Sequence, residues 1–293
     1  MNSVIAVDLG GTKLSAAVVD ETGRVIERAR HPVKAADFRA SIQQIADLIH
    51  GLMSQPQTSV GLIVPGIYFP STGNAWAPNL WGHEQVPLRR ELERAISLPV
   101  TIDSDRAGYV MGERWLGAAR GLNDIVFLSV GTGIGAGIIS GGHLIRGTGD
   151  IAGAVGWFAL NPQRHVLYRE VGCWEAEAAG PGLARRLNAR SAEEVVAAAR
   201  EGDTRAKQAI EETAAYLGMG LANIVSILNP EMIVLGGGVM QSGDLFLASI
   251  KRVMAEWAQP VAAQQVRIEM TRLGEDAGLL GAARLALGDS ALE

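Results

Sequence analysis

Ile5-Ala-Val-Asp-Leu-Gly-Gly-Thr12-Lys-Leu-Ser-Ala-Ala-Val-Val19 reads as a buried strand, a glycine turn and a second strand. The segment 120 positions on, Ile125-Val-Phe-Leu-Ser-Val-Gly-Thr132-Gly-Ile-Gly-Ala-Gly-Ile-Ile139, repeats that plan. Ile5, Gly11, Thr12 and Ala16 recur there as Ile125, Gly131, Thr132 and Ala136. Two glycine hairpins can resemble each other by chance. The alternative is a chain of two similar halves, each opening with a hairpin whose turn faces a common cleft.

Outward from these hairpins, strand-like and helical runs alternate. Ile5–Asp8, Leu14–Asp20 and Arg24–Arg30 are predicted strands, and the apolar spacing in Phe38–Met53 predicts a helix. Ser59–Val64, Val100–Asp103, Ile125–Gly131, Met232–Leu235 and Val266–Met270 read as further strands, and Arg106–Leu116 as a helix. Beyond Val171 the chain reads as mostly helical until Met232. The fold class is therefore α/β.

The chain has 293 residues, 48% of them hydrophobic and 19% charged, enough to bury one large core or two smaller ones. Its 26 basic residues against 31 acidic ones, a net charge of −5, leave no general footprint for nucleic acid. The single cysteine, Cys173, excludes an internal disulfide framework and fits a reducing compartment. Val4–Val7 follows the first residues with no basic region or cleavage site, so no leader is expected. Asn223, Asn229, Pro230 and Glu231 interrupt the most apolar stretch, so no membrane span is expected either. A cytoplasmic protein is the expectation.

Glycines in tight turns let backbone N–H groups approach an anion with no Cβ in the way. Gly10-Gly11-Thr12 and Gly131-Thr132-Gly133 would each cradle phosphate oxygens, with the threonine hydroxyls as further donors. Gly236-Gly237-Gly238 forms a third cluster straight after a strand. Three clusters together favour a nucleotide, although either turn alone is an ordinary hairpin. None is a Walker loop, and Gly131–Gly137 is not a Rossmann turn because a strand follows it. Asp8 could hold Mg²⁺ beside phosphates, directly or through water, or cap its turn. Lys13 could add positive charge there or sit in solvent. Asp103-Ser104-Asp105, between a strand and a helix, offers a proton acceptor for an attacking hydroxyl or a helix N-cap, and spacing alone leaves both open.

These motifs resemble the ROK sugar kinases, relatives of the hexokinases within the actin-like ATPase superfamily. The resemblance runs through Asp8-Leu-Gly-Gly-Thr-Lys13, Val130-Gly-Thr-Gly-Ile-Gly-Ala-Gly137, Asn229-Pro-Glu-Met-Ile-Val-Leu-Gly-Gly-Gly238 and Asp276-Ala-Gly-Leu-Leu-Gly-Ala-Ala283. It implies two actin-like (ribonuclease H-like) lobes around a nucleotide- and sugar-binding cleft. The smaller lobe would comprise 1–107 with a closing helix over 276–293, and the larger 108–275. MgATP would lie between Gly10–Thr12, Gly131–Gly133 and Gly236–Gly238. Asp105 corresponds to the catalytic base, Gly66 and Asn79 fall in the sugar pocket, and Glu175 matches a glutamate that binds sugar hydroxyls. The resemblance also suggests a homodimer. No helix-turn-helix precedes Asp8, which disfavours the family's transcriptional repressors.

The chain departs from the family on the acceptor side. Ser104 replaces an asparagine of Glu-Asn-Asp. In Ala152-Gly-Ala-Val-Gly-Trp157, Ala154 replaces a sugar-binding glutamate and Trp157 a histidine that serves zinc and sugar. Val166 and Tyr168 stand at the first two cysteine positions of the zinc loop. Cys173, with His165 nearby, cannot make a four-ligand structural site, so no zinc is expected. Each sugar hydroxyl left unpaired by these losses would cost about 1–3 kcal/mol if buried. The expected activity is phosphorylation of a primary hydroxyl on an amino-sugar, a modified hexose or a cyclitol, not plain glucose. A non-catalytic sugar or nucleotide binder and an ordinary glucokinase are the alternatives.

Overall fold

The computed structural model describes residues 3–33, 37–53 and 59–288. It divides into two units of near-equal length: Met1–Gly121 with Arg146–Ile151 and Arg272–Glu293, and Leu122–Ile145 with Ala152–Thr271.

In the first unit, β1 (Ser3–Leu9), β2 (Lys13–Asp20) and β3 (Val25–Pro32) form an antiparallel meander, followed by α1 (Phe38–Leu52) and β4 (Val60–Val64). A small hairpin of β5 (Ile67–Phe69) and β6 (Asn74–Trp76) leads to α2 (Pro78–Trp81), α3 (Leu88–Ile96), β7 (Val100–Ser104) and α4 (Asp105–Leu116). The sheet order is β3-β2-β1-β4-β7, with β1, β4 and β7 parallel. Alternation along β1 sorts its side chains between two cores. Ile5, Val7 and Leu9 join Ile45 and Ile49 of α1 and Leu88 and Leu92 of α3, whereas Val4 and Ala6 join residues of a helix near the chain's far end. Each of the valine, leucine and isoleucine side chains contributes roughly 1.5–3 kcal/mol when fully buried.

The second unit repeats the plan with β8 (Ile125–Val130), β9 (Ile134–Ser140) and β10 (His143–Leu144) as its meander. A helical stretch follows: α5 (Cys173–Ala178), α6 (Gly180–Leu187), α7 (Ala192–Arg200) and the 25-residue α8 (Thr204–Leu228). Then come β11 (Met232–Gly236), α9 (Leu247–Trp257), α10 (Pro260–Gln265) and β12 (Arg267–Met270). The order is β10-β9-β8-β11-β12, with β8, β11 and β12 parallel. Ile5 pairs with Val18 and Val60, and Ile125 pairs with Ile139 and Met232. The two hairpins therefore hold the same place in the same topology, and the echo between them is structural. Trp174, fully buried, stacks on Phe158 with centroids 5.6 Å apart, and a Cβ at Gly220 would lie 2.1 Å from its ring.

The last described helix, α11 (Asp276–Leu287), packs in the first unit. It supplies Leu279, Ala282 and Ala283 to the core that takes Val4 and Ala6. The helix was expected to continue to 293, but 289–293 lie outside the described residues. It crosses α4 nearly backbone to backbone: a Cβ at Gly281 would lie 1.9 Å from the Gly108 carbonyl oxygen, and one at Gly112 would lie 2.4 Å from that of Ala277. This crossing keeps α4 whole within the first unit. The boundary accordingly falls at Gly121, where 107 was expected and would cut the helix. Among the described residues no helix is long and apolar enough to cross a membrane.

Candidate functional site

In the first unit β1 turns into β2 through a tight closure in which Gly10 N–H donates to the Lys13 carbonyl at 2.9 Å. Gly11 and Thr12 are exposed on that turn. Lys13 is exposed as well, and its ammonium lies 3.4 Å from Glu275 Oε1. Asp8 continues the Val4–Ala6 side of β1 toward α11, where Gly278 makes room: a Cβ there would lie 2.2 Å from Asp8 Oδ2. Asp8 Oδ1 is buried and has no hydrogen-bond partner. Burial, then the charge of Asp105, push the Asp8 pKa up to about 7, against the pull of Arg30. A buried, unpartnered carboxylate oxygen is a fit for a cation, which would restore the lost interaction.

At the second carboxylate motif the capping role falls to the serine. Ser104 is the N-cap of α4, its hydroxyl accepting from Ala107 N–H at 3.3 Å. That leaves Asp105 as the first residue of the helix, where Oδ1 accepts from Arg106 N–H at 2.8 Å. Burial raises the Asp105 pKa to about 6, with the Arg106 charge acting the other way. Asp103, which is buried, is clamped by Arg146 through bonds of 3.0 and 2.6 Å. Tyr109, one turn into α4, has its hydroxyl pKa raised by burial and then by the charges of Asp8 and Asp105. Gly66 has φ +95°, and its carbonyl accepts from Arg106 Nη2 at 3.2 Å. Asn79 is exposed on α2. Nothing in the sequence pattern singled out Arg106 or Arg146.

The second unit gathers the other two glycine clusters. Gly131 N–H donates to the Gly133 carbonyl at 2.9 Å, and the Gly131 carbonyl accepts from Gly180 N–H at 2.8 Å. Gly237, at φ +94°, lets the turn after β11 pass close by, since a Cβ there would lie 2.5 Å from the Val130 carbonyl oxygen. A Cβ on Gly131 would lie 3.7 Å from Gly238 N. Gly131, Thr132 and Gly238 line a cavity of about 390 Å³ together with Gly180, Pro181, Arg190 and Ser191. That volume lies in the range of small-molecule sites. The helix-borne residues were not foreseen, because α6 and α7 begin about 50 to 60 positions beyond the glycine turn. A second hollow of about 410 Å³, between α9, α10 and β12, contains none of the expected residues.

Glu175, on α5, lies against the same turn. Its Oε2 accepts from Ile134 N–H at 2.8 Å, so one of its two oxygens holds the protein's own backbone. Burial raises its pKa, and the Ile134 N–H opposes the shift. Ala154 is half-buried, and Trp157, three residues on, is 57% exposed. In the segment where the resemblance placed zinc-loop cysteines, Tyr168 donates to Glu177 Oε1 at 2.5 Å and accepts from Asn161 at 3.1 Å. Arg186 completes this group with a 3.0 Å ion pair to Glu177. Cys173 is buried and free, and His165 Nδ1 accepts from Leu167 N–H at 3.2 Å.

The ROK family model matches residues 4–289. The chain belongs to the ROK family. A glucokinase of Halalkalibacterium halodurans is 30% identical, over 94% of this chain and 92% of the relative. An N-acetylmannosamine kinase of Escherichia fergusonii is 32% identical, over 98% and 99%. The crystal structure of a Streptomyces griseus ROK glucokinase in complex with glucose and AMPPNP superposes with a TM-score of 0.83 at 29% identity, covering 98% of this chain and 99% of that one. The two five-stranded sheets thus belong to the actin-like ATPase fold.

Proposed function

We infer that this ROK protein is an ATP-dependent carbohydrate kinase acting on a primary hydroxyl of a sugar or sugar-like acceptor. The observation that carries the reading is Asp105. It is released from capping by Ser104 and has a pKa of about 6, so at pH 7 it is mostly ionised yet still basic enough to take a proton. Asp105 accepts the hydroxyl proton as the oxygen attacks the γ-phosphorus. The new O–P bond forms, the bond to the bridging oxygen breaks, and ADP leaves. Gly10–Thr12 is assigned to phosphate, with Lys13 adding charge nearby. The cavity of Gly131, Thr132 and Gly238, with the neighbouring Gly133, Gly236 and Gly237, is assigned to the nucleotide. Asp8 would hold Mg²⁺, which neutralises phosphate charge when bound.

On the acceptor side, Ser104, Ala154 and Trp157 weigh against plain glucose, because each lacks a polar group that the family uses on sugar hydroxyls. Gly66, Asn79 and Glu175 are assigned to the acceptor; Glu175 has one oxygen to offer it. An ordinary glucokinase is the second reading, and the relatives bearing that name favour it. A cytoplasmic homodimer completes the proposal.

The test is ADP release from MgATP with separate pools of hexoses, amino-sugars and cyclitols, in the wild type and in Asp105→Asn. Acceptor-dependent release should fall by about 10²-fold or more in the variant while ATP affinity changes little. In the wild type the rate should climb as pH rises through about 6, where Asp105 ionises. Retained turnover in Asp105→Asn would reject this base, and a glucose-only response would select the second reading.

A further inference from the structure

After β10 the chain enters the first unit for Arg146–Ile151 and leaves it again at Ala152. This short strap is bent by three left-handed residues: Gly147 at φ +67°, Gly149 at φ +69° and Asp150 at φ +60°. Asp150 carries a Cβ and keeps that backbone only where its surroundings impose it. Thr148–Asp150 lies against β5, the strand that begins directly after Gly66. The chain reaches Ala154, on the acceptor side, three residues after the strap ends.

The strap is anchored at its first residue. Asp103, near the end of β7, accepts from Arg146 Nη1 at 3.0 Å on Oδ1 and from Arg146 Nη2 at 2.6 Å on Oδ2. The same Oδ1 accepts from Ser104 N–H at 2.7 Å, and Ser104 caps the helix that Asp105 begins. One carboxylate therefore holds both the strap and the backbone beside the proposed base. Stability alone does not call for this pair. Asp103 is buried, and a buried ion pair stabilises no more than apolar side chains of the same volume. What the pair adds is direction, because a planar guanidinium meets a carboxylate in a bidentate orientation.

We propose that Arg146 is a positioning residue of the kinase: its grip on Asp103 sets the strap along β5 and the N-cap before Asp105 in one register, so that the acceptor meets the base in a fixed geometry. The proposal rests on the kinase reading above and adds to it a residue that acts through Asp103 and Ser104.

The test compares the wild type with Arg146→Gln, Arg146→Lys, Asp103→Asn and the double variant Asp103→Asn/Arg146→Gln. ADP release is measured with D-glucose, N-acetyl-D-mannosamine and myo-inositol as acceptors, and amide hydrogen exchange is followed in the free protein. Arg146→Gln should lower kcat/KM for the acceptor by about tenfold or more and leave the KM for ATP little changed. Arg146→Lys should restore part of the loss. The double variant leaves no buried charge unpaired, so it should fold and show no greater kinetic loss than the worse single variant. Exchange should quicken together over 146–151 and over Ser104–Ala107 in Arg146→Gln. Unaltered acceptor kinetics in the folded double variant overturn the proposal. So do single losses that simply multiply in the double, or a strap that loosens while Ser104–Ala107 stays protected. If the wild type turns over no acceptor and both segments still loosen together, the link through Asp103 stands and the kinase reading falls. If they do not loosen together, the link falls as well.

Discussion

The two halves of this molecule share one strand order and divide the chemistry unequally. In the first sheet the strand before the turn carries a carboxylate, Asp8; at the matching place in the second, Leu128 is fully buried in the core. The helix after the fifth strand of the first sheet begins with Asp105, whereas the second sheet's fifth strand leads out of its unit altogether. The second half instead offers a hollow floored by glycine, where Gly131 and Gly238 come together, with Thr132, Arg190, Ser191 and Glu193 on its walls. A single topology can therefore present either buried carboxylates or a glycine-floored hollow at its strand ends. The choice is made by a few residues at strand ends, where side chains leave the sheet and no longer answer to its packing.

If that division is real, damage to each half should have a different signature. Gly281→Val should have the largest effect on folding, because the new side chain meets the Gly108 carbonyl where α4 and α11 cross. A loss of about 3 kcal/mol in denaturant unfolding is expected, and a neutral outcome would mean that the crossing is loose. Gly238→Leu should leave folding nearly intact, since open space surrounds that position, and fill the cavity of the second half. A loss of about tenfold in ATP affinity by calorimetry, with acceptor-induced melting shifts unchanged, would sharpen the contrast; unaltered ATP binding would move the nucleotide elsewhere.

The smallest effect belongs to Asp8. Its folded pKa of about 7 lies above the ordinary carboxylate value, so the native state binds the proton more tightly than the unfolded chain does. Native stability therefore declines as pH rises from about 4 to 7. Asp8→Asn should melt a few degrees above the wild type at pH 8 without Mg²⁺, and show no advantage at pH 4. Mg²⁺ should stabilise the wild type at pH 8 and not the variant. Equal melting curves at both pH values would mean that the carboxyl is solvated and holds no ion.

The sheets were legible because β1, β4, β8 and β11 are apolar runs bounded by turn residues, and because Gly-Thr recurs between paired strands. The β5–β6 hairpin was not, since two strands of three residues leave no period to read. Asp8 and Asp105 could be named from the motifs, but only the structure could separate the capping hydroxyl of Ser104 from the carboxylate beside it. The cavity helices and the Arg146 clamp escaped for a different reason. Their partners are far apart in sequence, and an arginine in a loop carries no signal of the carboxylate that it meets. Glu175 was expected to meet sugar hydroxyls, and no sequence signal foretold that one of its oxygens serves the backbone of the turn.

The surroundings of Asp8 are finished by Gly278, about 270 residues further along the chain. During synthesis the first sheet leaves the ribosome long before α11 does, so its Val4–Ala6 face must wait with only α4 beside it while the entire second unit is made. A nascent chain stalled before 276 would hold a hairpin with its glycine turn in place and a carboxylate still open to water. The closed setting of that carboxylate would thus appear late and all at once, which makes it a natural reporter of completed translation and folding.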